Sequence, residues 1–154
     1  MSRVGDRLKE AGYVLPPAPA ALGSYVPAVR AGTLVFTAGQ LPLRDGALLT
    51  SGHVGDEVSA ETARACAAQC ALNALAAAST VCDLDEVTKA VKVTGYVAST
   101  AGFTAQPSVV DGASEVVLVA FGDTGRHARA AVGVAELPLG APVEVEIVLT
   151  LAGD

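Results

Sequence analysis

RAAVGVAELPLGAPVEVEIVLTL, residues Arg129–Leu151, is the stretch whose reading decides the fold. In its second half Val143, Val145, Ile147, Leu149 and Leu151 alternate with Glu144, Glu146, Val148 and Thr150. Strict period-2 alternation marks a strand with one buried face, because successive side chains leave a strand on opposite sides. In the first half Ala130, Val132 and Val134 fall on one side and Arg129, Ala131, Gly133 and Ala135 on the other. Leu137-Pro138-Leu139-Gly140-Ala141-Pro142 breaks any regular element, so the pattern predicts two neighbouring strands with a short connection. Arg129 opens one strand, and Glu144 and Glu146 lie on the less apolar side of the other. A guanidinium and carboxylates held on rigid strands are the raw material of a small-acid site. They are equally the raw material of a plain salt bridge.

Upstream, Val116-Val117-Leu118-Val119-Ala120-Phe121 has strand propensity. Asp111-Gly112-Ala113-Ser114-Glu115 offers a helix start and Gly122 a C-cap, so residues 108–122 are read as a helix. Val87–Ala98 predicts a strand with Val87, Val91, Val93 and Val97 on one side and Thr88, Lys92, Thr94 and Tyr96 on the other. Before it, ETARACAAQCALNALAAAS predicts a helix with Ser59 as N-cap and Glu61 in the first turn. Its apolar face is thin: Cys66, Ala68, Cys70, Ala71, Leu72 and Leu75. The region of Asp83–Glu86 ends it. Asp45-Gly46, between Leu41-Pro42-Leu43 and Ala47-Leu48-Leu49, signals a hairpin turn. Ser24–Arg30 and Thr33–Ala38 read as strands around Ala31-Gly32, with Leu34 and Phe36 opposite Thr33, Val35 and Thr37. A short helix over residues 3–12, ended by Gly12, and a polyproline-like arm at Leu15-Pro16-Pro17-Ala18-Pro19 complete the chain. The order β-β-α-β-α-β-β gives each helix a sheet to cover.

Hydrophobic residues make up 51% of the 154 and aromatics only 4%, so the core must be built from Ala, Val and Leu. Charged residues are 17%, low for a small monomer, and the surplus apolar surface predicts a second subunit. A net charge of −6 argues against a sequence-independent phosphate-binding surface. The charged N-terminus has no signal-peptide pattern, and nothing spans a membrane. Cys66, Cys70 and Cys82 are odd in number and lie in or near the Ala-rich helix, as small thiols of a reduced, cytoplasmic chain.

The remaining motifs read as ordinary structure. Asp123-Thr124-Gly125 matches three residues of an aspartic-protease motif, but Arg126 follows where a small residue is usual and no flap is evident; a turn leaving the helix accounts for it. Cys66 and Cys70, at i and i+4, have no histidine near them and make no zinc site. His53 and His127 are the only histidines, and Ser114 in Gly-Ala-Ser-Glu-Val lacks the second glycine of a nucleophile elbow. No Gly-rich nucleotide motif occurs.

Four blocks in order, Gly23-Ser24-Tyr25-Val26, Thr37-Ala38-Gly39-Gln40-Leu41-Pro42, Arg129–Pro138 and Val143-Glu144-Val145-Glu146, resemble the RidA/YjgF family of reactive-intermediate deaminases, also known as endoribonuclease L-PSP-like proteins. The resemblance covers about residues 21–151. The N-terminal arm and Gly125-Arg126-His127-Ala128-Arg129 suggest a divergent branch. It implies an α+β, chorismate-mutase-like fold, with two helices packed on one face of a mixed sheet. It also implies a homotrimer with a ligand cleft at each subunit interface, residues 1–20 forming a helix and arm and 21–154 the domain.

By the same resemblance, Arg129 binds the carboxylate of a 2-imino acid or 2-aminoacrylate, which suits a planar guanidinium better than a lysine. Glu144 places and activates the attacking water, Tyr25 closes the cleft, and Ala38, Gly39 and Ala131 line it. Ammonia leaves and a 2-keto acid remains, with no metal or organic cofactor. Many active relatives carry Ser where this chain has Ala38, Cys where it has Ala131, and an Asn where the nearby residues are Gln106, Pro107 and Ser108. The expectation is therefore an imine/enamine deaminase, a hydrolase acting on C–N bonds, with a non-catalytic small-carboxylate-binding trimer as the alternative. An endoribonuclease ranks third, since the chain is acidic and lacks a basic, aromatic-bearing face.

Overall fold

The apolar half of the C-terminal alternation is buried against helices, and the rest of the chain is arranged around it. The structure is a computed structural model that describes residues 2–20 and 23–153. The boundary expected between residues 20 and 21 falls at Ala21, outside the described residues.

The strands of the main sheet are β1 (Ala28–Ala31), β2 (Leu34–Thr37), β5 (Val87–Ala98), β6 (Ala128–Val134) and β7 (Val143–Leu151), in the spatial order β1-β2-β7-β5-β6. All pairs are antiparallel except β5 and β6, so the sheet is mixed. The hairpin β3 (Leu43–Arg44) and β4 (Ala47–Leu48) stands apart. Its Asp45 and Gly46 both have positive φ, 52° and 82°, as a tight two-residue hairpin requires. The helices are α1 (Arg3–Glu10), α2 (Ala60–Ala78) and α3 (Gln106–Phe121).

Two strand expectations are corrected. The strands β6 and β7 are not neighbours: β5 lies between them and pairs with both. The parallel β5–β6 pair needs a crossover, and α3 supplies it. On β5, Val91 does not join the buried side. The register slips between Val87 and Lys89 and again between Ala90 and Lys92, so Ala90 turns inward and Val91 stays exposed.

The helices follow their capping signals more closely. Ser59 caps α2 by accepting from the Thr62 N–H. The buried surface of α2 is broader than a thin stripe, because α3, β7 and β2 all contact it; Ala63, Ala67, Ala74 and Ala78 are fully buried. The helix ends at Ala78, and Leu84–Glu86 is a separate short turn. The helix α3 begins at Gln106, with Pro107 in the first turn, rather than at Asp111, and ends at Gly122 with φ 62°. The turn Gly122–Gly125 holds Asp123 exposed and paired with Arg126. The helix α1 stops before Gly12 and buries Val4 and Leu8 in the same core. The thiols of Cys66 and Cys70 are buried.

Only one face of the sheet is covered by these helices. On that face Val35, Val93, Val97, Val143, Val145, Ile147 and Leu149 are almost completely buried. On the other, Val29, Leu34, Phe36 and Val132 are exposed, Phe36 by 43%.

Close approach depends on three glycines. A methyl group at Gly95 would run into Val110, one at Gly125 into the Val117 carbonyl, and one at Gly112 into the Arg64 carbonyl, where α3 crosses α2. The last contact is with backbone, which cannot swing away. Gly112→Ala is therefore expected to cost about 3 kcal/mol despite the better helix propensity of alanine. At this chain length that corresponds to a Tm lower by roughly 6–12 °C, measurable by calorimetry; an unchanged Tm would show that the helices can move apart.

Candidate functional site

Arg129 pairs in register with Val93, and Val93 with Ile147, so all three side chains leave the sheet on the helix face. Tyr96 pairs with Glu144 and with Val132, which puts those three on the open face. Arg129 and Glu144 therefore lie on opposite sides of one sheet. The expected company of Arg129, Glu144 and Glu146 does not form within the chain.

At the sheet edge Arg129 meets α3. Its Nη1 donates to Asp111 Oδ1 at 2.7 Å and to Ser114 Oγ at 3.2 Å. Asp111 and Ser114, three apart on a helix, share the face that looks at β6. The pairing is with Asp111 rather than with a strand glutamate, and it is one-sided. Among the described residues Nε and Nη2 of Arg129 and Oδ2 of Asp111 have no hydrogen-bond partner. The arginine side chain keeps 24% of its surface exposed and the aspartate 46%.

Ser114 also meets His127, with Oγ and Nε2 2.9 Å apart. His127 Nδ1 lies 2.6 Å from the Gly125 carbonyl, which can only accept, so Nδ1 carries the hydrogen. In the uncharged ring Nε2 is then an acceptor, the serine hydroxyl donates to it, and a serine lone pair is left for Arg129. Nothing local in the sequence signalled these contacts, since 18 residues separate Arg129 from Asp111 and 13 separate His127 from Ser114. The signal available was facial: Asp111 and Ser114 on one helix side, His127 and Arg129 two apart in extended chain.

Ala131 and Gly133 follow Arg129 on the same face. Gly133 lies against Gln106 and Ser99, and the Gln106 amide donates to Ser99 Oγ and to the Phe103 carbonyl. On the open face the Glu144 carboxylate lies over Gly39, 2.8 Å from where a β-carbon there would be. Half-buried Ala38 adjoins Gly39, with its N–H donating to the Pro27 carbonyl. Tyr96 donates to Glu146 at 2.9 Å. Tyr25 is 62% exposed. The six expected site residues thus fall into two groups, Arg129 with Ala131 and Glu144 with Ala38 and Gly39, and Tyr25 stands outside both. A cavity of about 740 Å³ lies elsewhere, between the N-terminal arm, the β3–β4 hairpin and α2; none of the six residues lines it. No group of three or more potential metal ligands occurs among the described residues, and no described helix is long and apolar enough to cross a membrane.

The sequence profile of the Endoribonuclease L-PSP family matches residues 16–151. The chain belongs to the RidA/YjgF (endoribonuclease L-PSP) family. This RidA-family chain is 40% identical over 151 residues to Protein TCP17 of Trypanosoma cruzi, covering 97% of this chain and 94% of that protein. The crystal structure of Atu1372 from Agrobacterium tumefaciens, described as of unknown function, is 39% identical and superposes with a TM-score of 0.89 over 97% of this chain and 92% of that one. RidA from the Antarctic bacterium Psychrobacter sp. PAMC 21119 is 30% identical, with a TM-score of 0.57 over 87% and 94% of the two chains. The α+β fold with α2 and α3 on one sheet face is the family's.

Burial, and then the charge of Glu146, pushes the Glu144 carboxyl above the ordinary glutamate range. A raised carboxyl binds its proton more tightly folded than unfolded. Its contribution to stability is therefore complete below the ordinary value of 4.5 and is lost as pH rises through the raised one. Glu144→Gln in this family member is expected to raise Tm modestly at pH 7, the gain shrinking as pH falls through the raised value toward 4.5. A thermal melt series across pH checks this, and a variant less stable than wild type at pH 7 contradicts it.

Proposed function

We propose that the protein is a deaminase that hydrolyses 2-imino acids and 2-aminoacrylate to 2-keto acids and ammonia, working as a homotrimer with its sites between subunits. The observation that carries this reading is the half-engaged Arg129. One of its three nitrogens is committed, and the Nε–Nη2 edge is left in the geometry that grips a carboxylate with two parallel hydrogen bonds. Arg129 is the carboxylate clamp. Glu144 is the base that positions and deprotonates water: its carboxyl is raised toward the working range and no described residue ties it down. Tyr25 closes the cleft, and Ala38, Gly39 and Ala131 line it.

The two halves of this site face opposite sides of one sheet, so a single chain cannot bring them together. A second copy can. The open face with Val29, Leu34, Phe36 and Val132 is the kind of surface that such a copy covers, and closed rings are how identical subunits satisfy it. The reaction adds water across C=N, which 2-aminoacrylate presents once its C3 has taken a proton from solvent and its nitrogen has given one up, and expels ammonia from the resulting carbinolamine. It requires an anion clamp, a base and a partly dry cleft.

A second reading, a trimer that binds a small carboxylate without turning it over, is favoured by Ala38 and Ala131, neither of which offers a polar side chain to a reacting atom, and by the absence of an asparagine where Gln106, Pro107 and Ser108 stand. The two readings separate on one assay, pyruvate release from freshly generated 2-aminoacrylate. The deaminase reading expects acceleration over buffer that falls at least about a hundredfold in Arg129→Ala, the loss of a charge-assisted bidentate pair. Equal rates for wild type, variant and buffer would leave only the binding reading. Light scattering on the same sample should give three times the chain mass, and a monomer would remove the shared site.

A further inference from the structure

The cavity between the N-terminal arm, the β3–β4 hairpin and α2 has no part in the site described above. Its volume, about 740 Å³, suits a small molecule. Its walls are mostly apolar, with Val14 and Leu15 from the arm, Leu43 from the hairpin, and Leu72 and Ala76 from α2. Val14 is 79% exposed, so part of this apolar wall is wet. The arm is laid on the body without hydrogen bonds: among the described residues none joins residues 14–19 to the rest of the chain, and Pro16, Pro17 and Pro19 have no N–H to offer. Leu15, packed against the core, holds it down.

One cation is fixed at this wall. Arg44 Nε and Nη2 both donate to Gln69 Oε1, at 3.1 and 3.0 Å. Gln69 is buried and is fixed in turn. Its Nε2 donates to Asn73 Oδ1, and Asn73 Nδ2 donates to the Leu41 and Leu43 carbonyls at the foot of the hairpin. The relay takes rotamer freedom from Arg44 and leaves its charge intact, since an amide oxygen accepts as a carboxylate does without cancelling the cation. Asp45, next in the turn, forms no ion pair with Arg44, and neither does any other carboxylate of the described residues. Gln69 occupies one edge of the guanidinium. The other edge, the parallel N–H groups of Nη1 and Nη2, has no partner among the described residues.

We infer that this cavity binds a medium-chain aliphatic monocarboxylate, with the carboxylate on the Nη1–Nη2 edge of Arg44 and the tail along Leu43, Leu72 and Val14. A cation immobilised beforehand takes an anion without first giving up its own freedom. The tail removes from water the apolar surface that the arm leaves wet. Acetate meets only the first of these demands and an uncharged alcohol of the same tail only the second, so the acid with both is the preferred ligand. This site is separate from the one proposed around Arg129: one arginine lies in the hairpin, at the end of β3, and the other on β6.

The test titrates the full chain calorimetrically at pH 7 with octanoate, acetate and 1-octanol. Wild type is expected to bind octanoate at least about tenfold more tightly than either of the others. Arg44→Met removes the charge and should bring octanoate within about twofold of 1-octanol. Val14→Asp puts a negative charge on an exposed wall position and should weaken octanoate at least about tenfold, with the Tm of the unliganded protein unchanged. Arg129→Ala should bind octanoate as wild type does. A wild type that binds octanoate no better than acetate or 1-octanol would overturn the assignment. So would octanoate binding that keeps its wild-type strength in Arg44→Met or Val14→Asp, or that is lost in Arg129→Ala. If Arg44→Met does not fold, Val14→Asp and Arg129→Ala decide the matter.

Discussion

The pairing of β5 with β7 is the constraint on which the rest of the molecule depends. Along these strands the side chains alternate, and the helices cover one side only. Valine, isoleucine and leucine on the covered side make the core with the small residues of α2, which lets the helix lie close. The same alternation places Glu144 and Glu146 on the uncovered side. Because β5 passes its register on to β6, it also turns Arg129 toward the helices. The distribution of charge across the sheet is therefore a consequence of how the core is built.

That distribution puts the two halves of the proposed site on opposite sides of one sheet. Each sheet side holds part of the proposed chemistry: a guanidinium with a one-sided aspartate at the edge, and a raised carboxyl over Gly39 on the open face. At Glu144 the burial that costs the fold at neutral pH also raises the proton affinity of the carboxyl, the property the proposed base needs. The exposed apolar side chains around it have the same double character, a liability in a lone chain and an interface in an assembly.

Much of the fold could be read from local chemistry. Ser59 and Gly122 announced the ends of their helices, Asp45-Gly46 its hairpin, and the period-2 runs their strands, because each signal acts within a few residues. Alternation alone puts Val91 on the buried side, because one register slip lies just before it and a second spans it, and alternation cannot report a slip. Strands β6 and β7 read as neighbours from their adjacency in sequence, whereas the crossover through α3 puts β5 between them. Family blocks singled out Arg129 and Glu144. They gave no notice of Asp111, Ser114 or His127, whose contacts exist only once α3 has docked on β6.

The central claim is that Arg129 of one subunit and Glu144 of another serve a single site. Its most direct test is complementation between two inactive chains, Arg129→Ala and Glu144→Gln, mixed under conditions that let subunits exchange. The account predicts that each variant alone fails to accelerate pyruvate release and that the mixture recovers the fraction of activity set by random assembly. Mixed assemblies, verified by mass, that stay as inactive as their parents would contradict it.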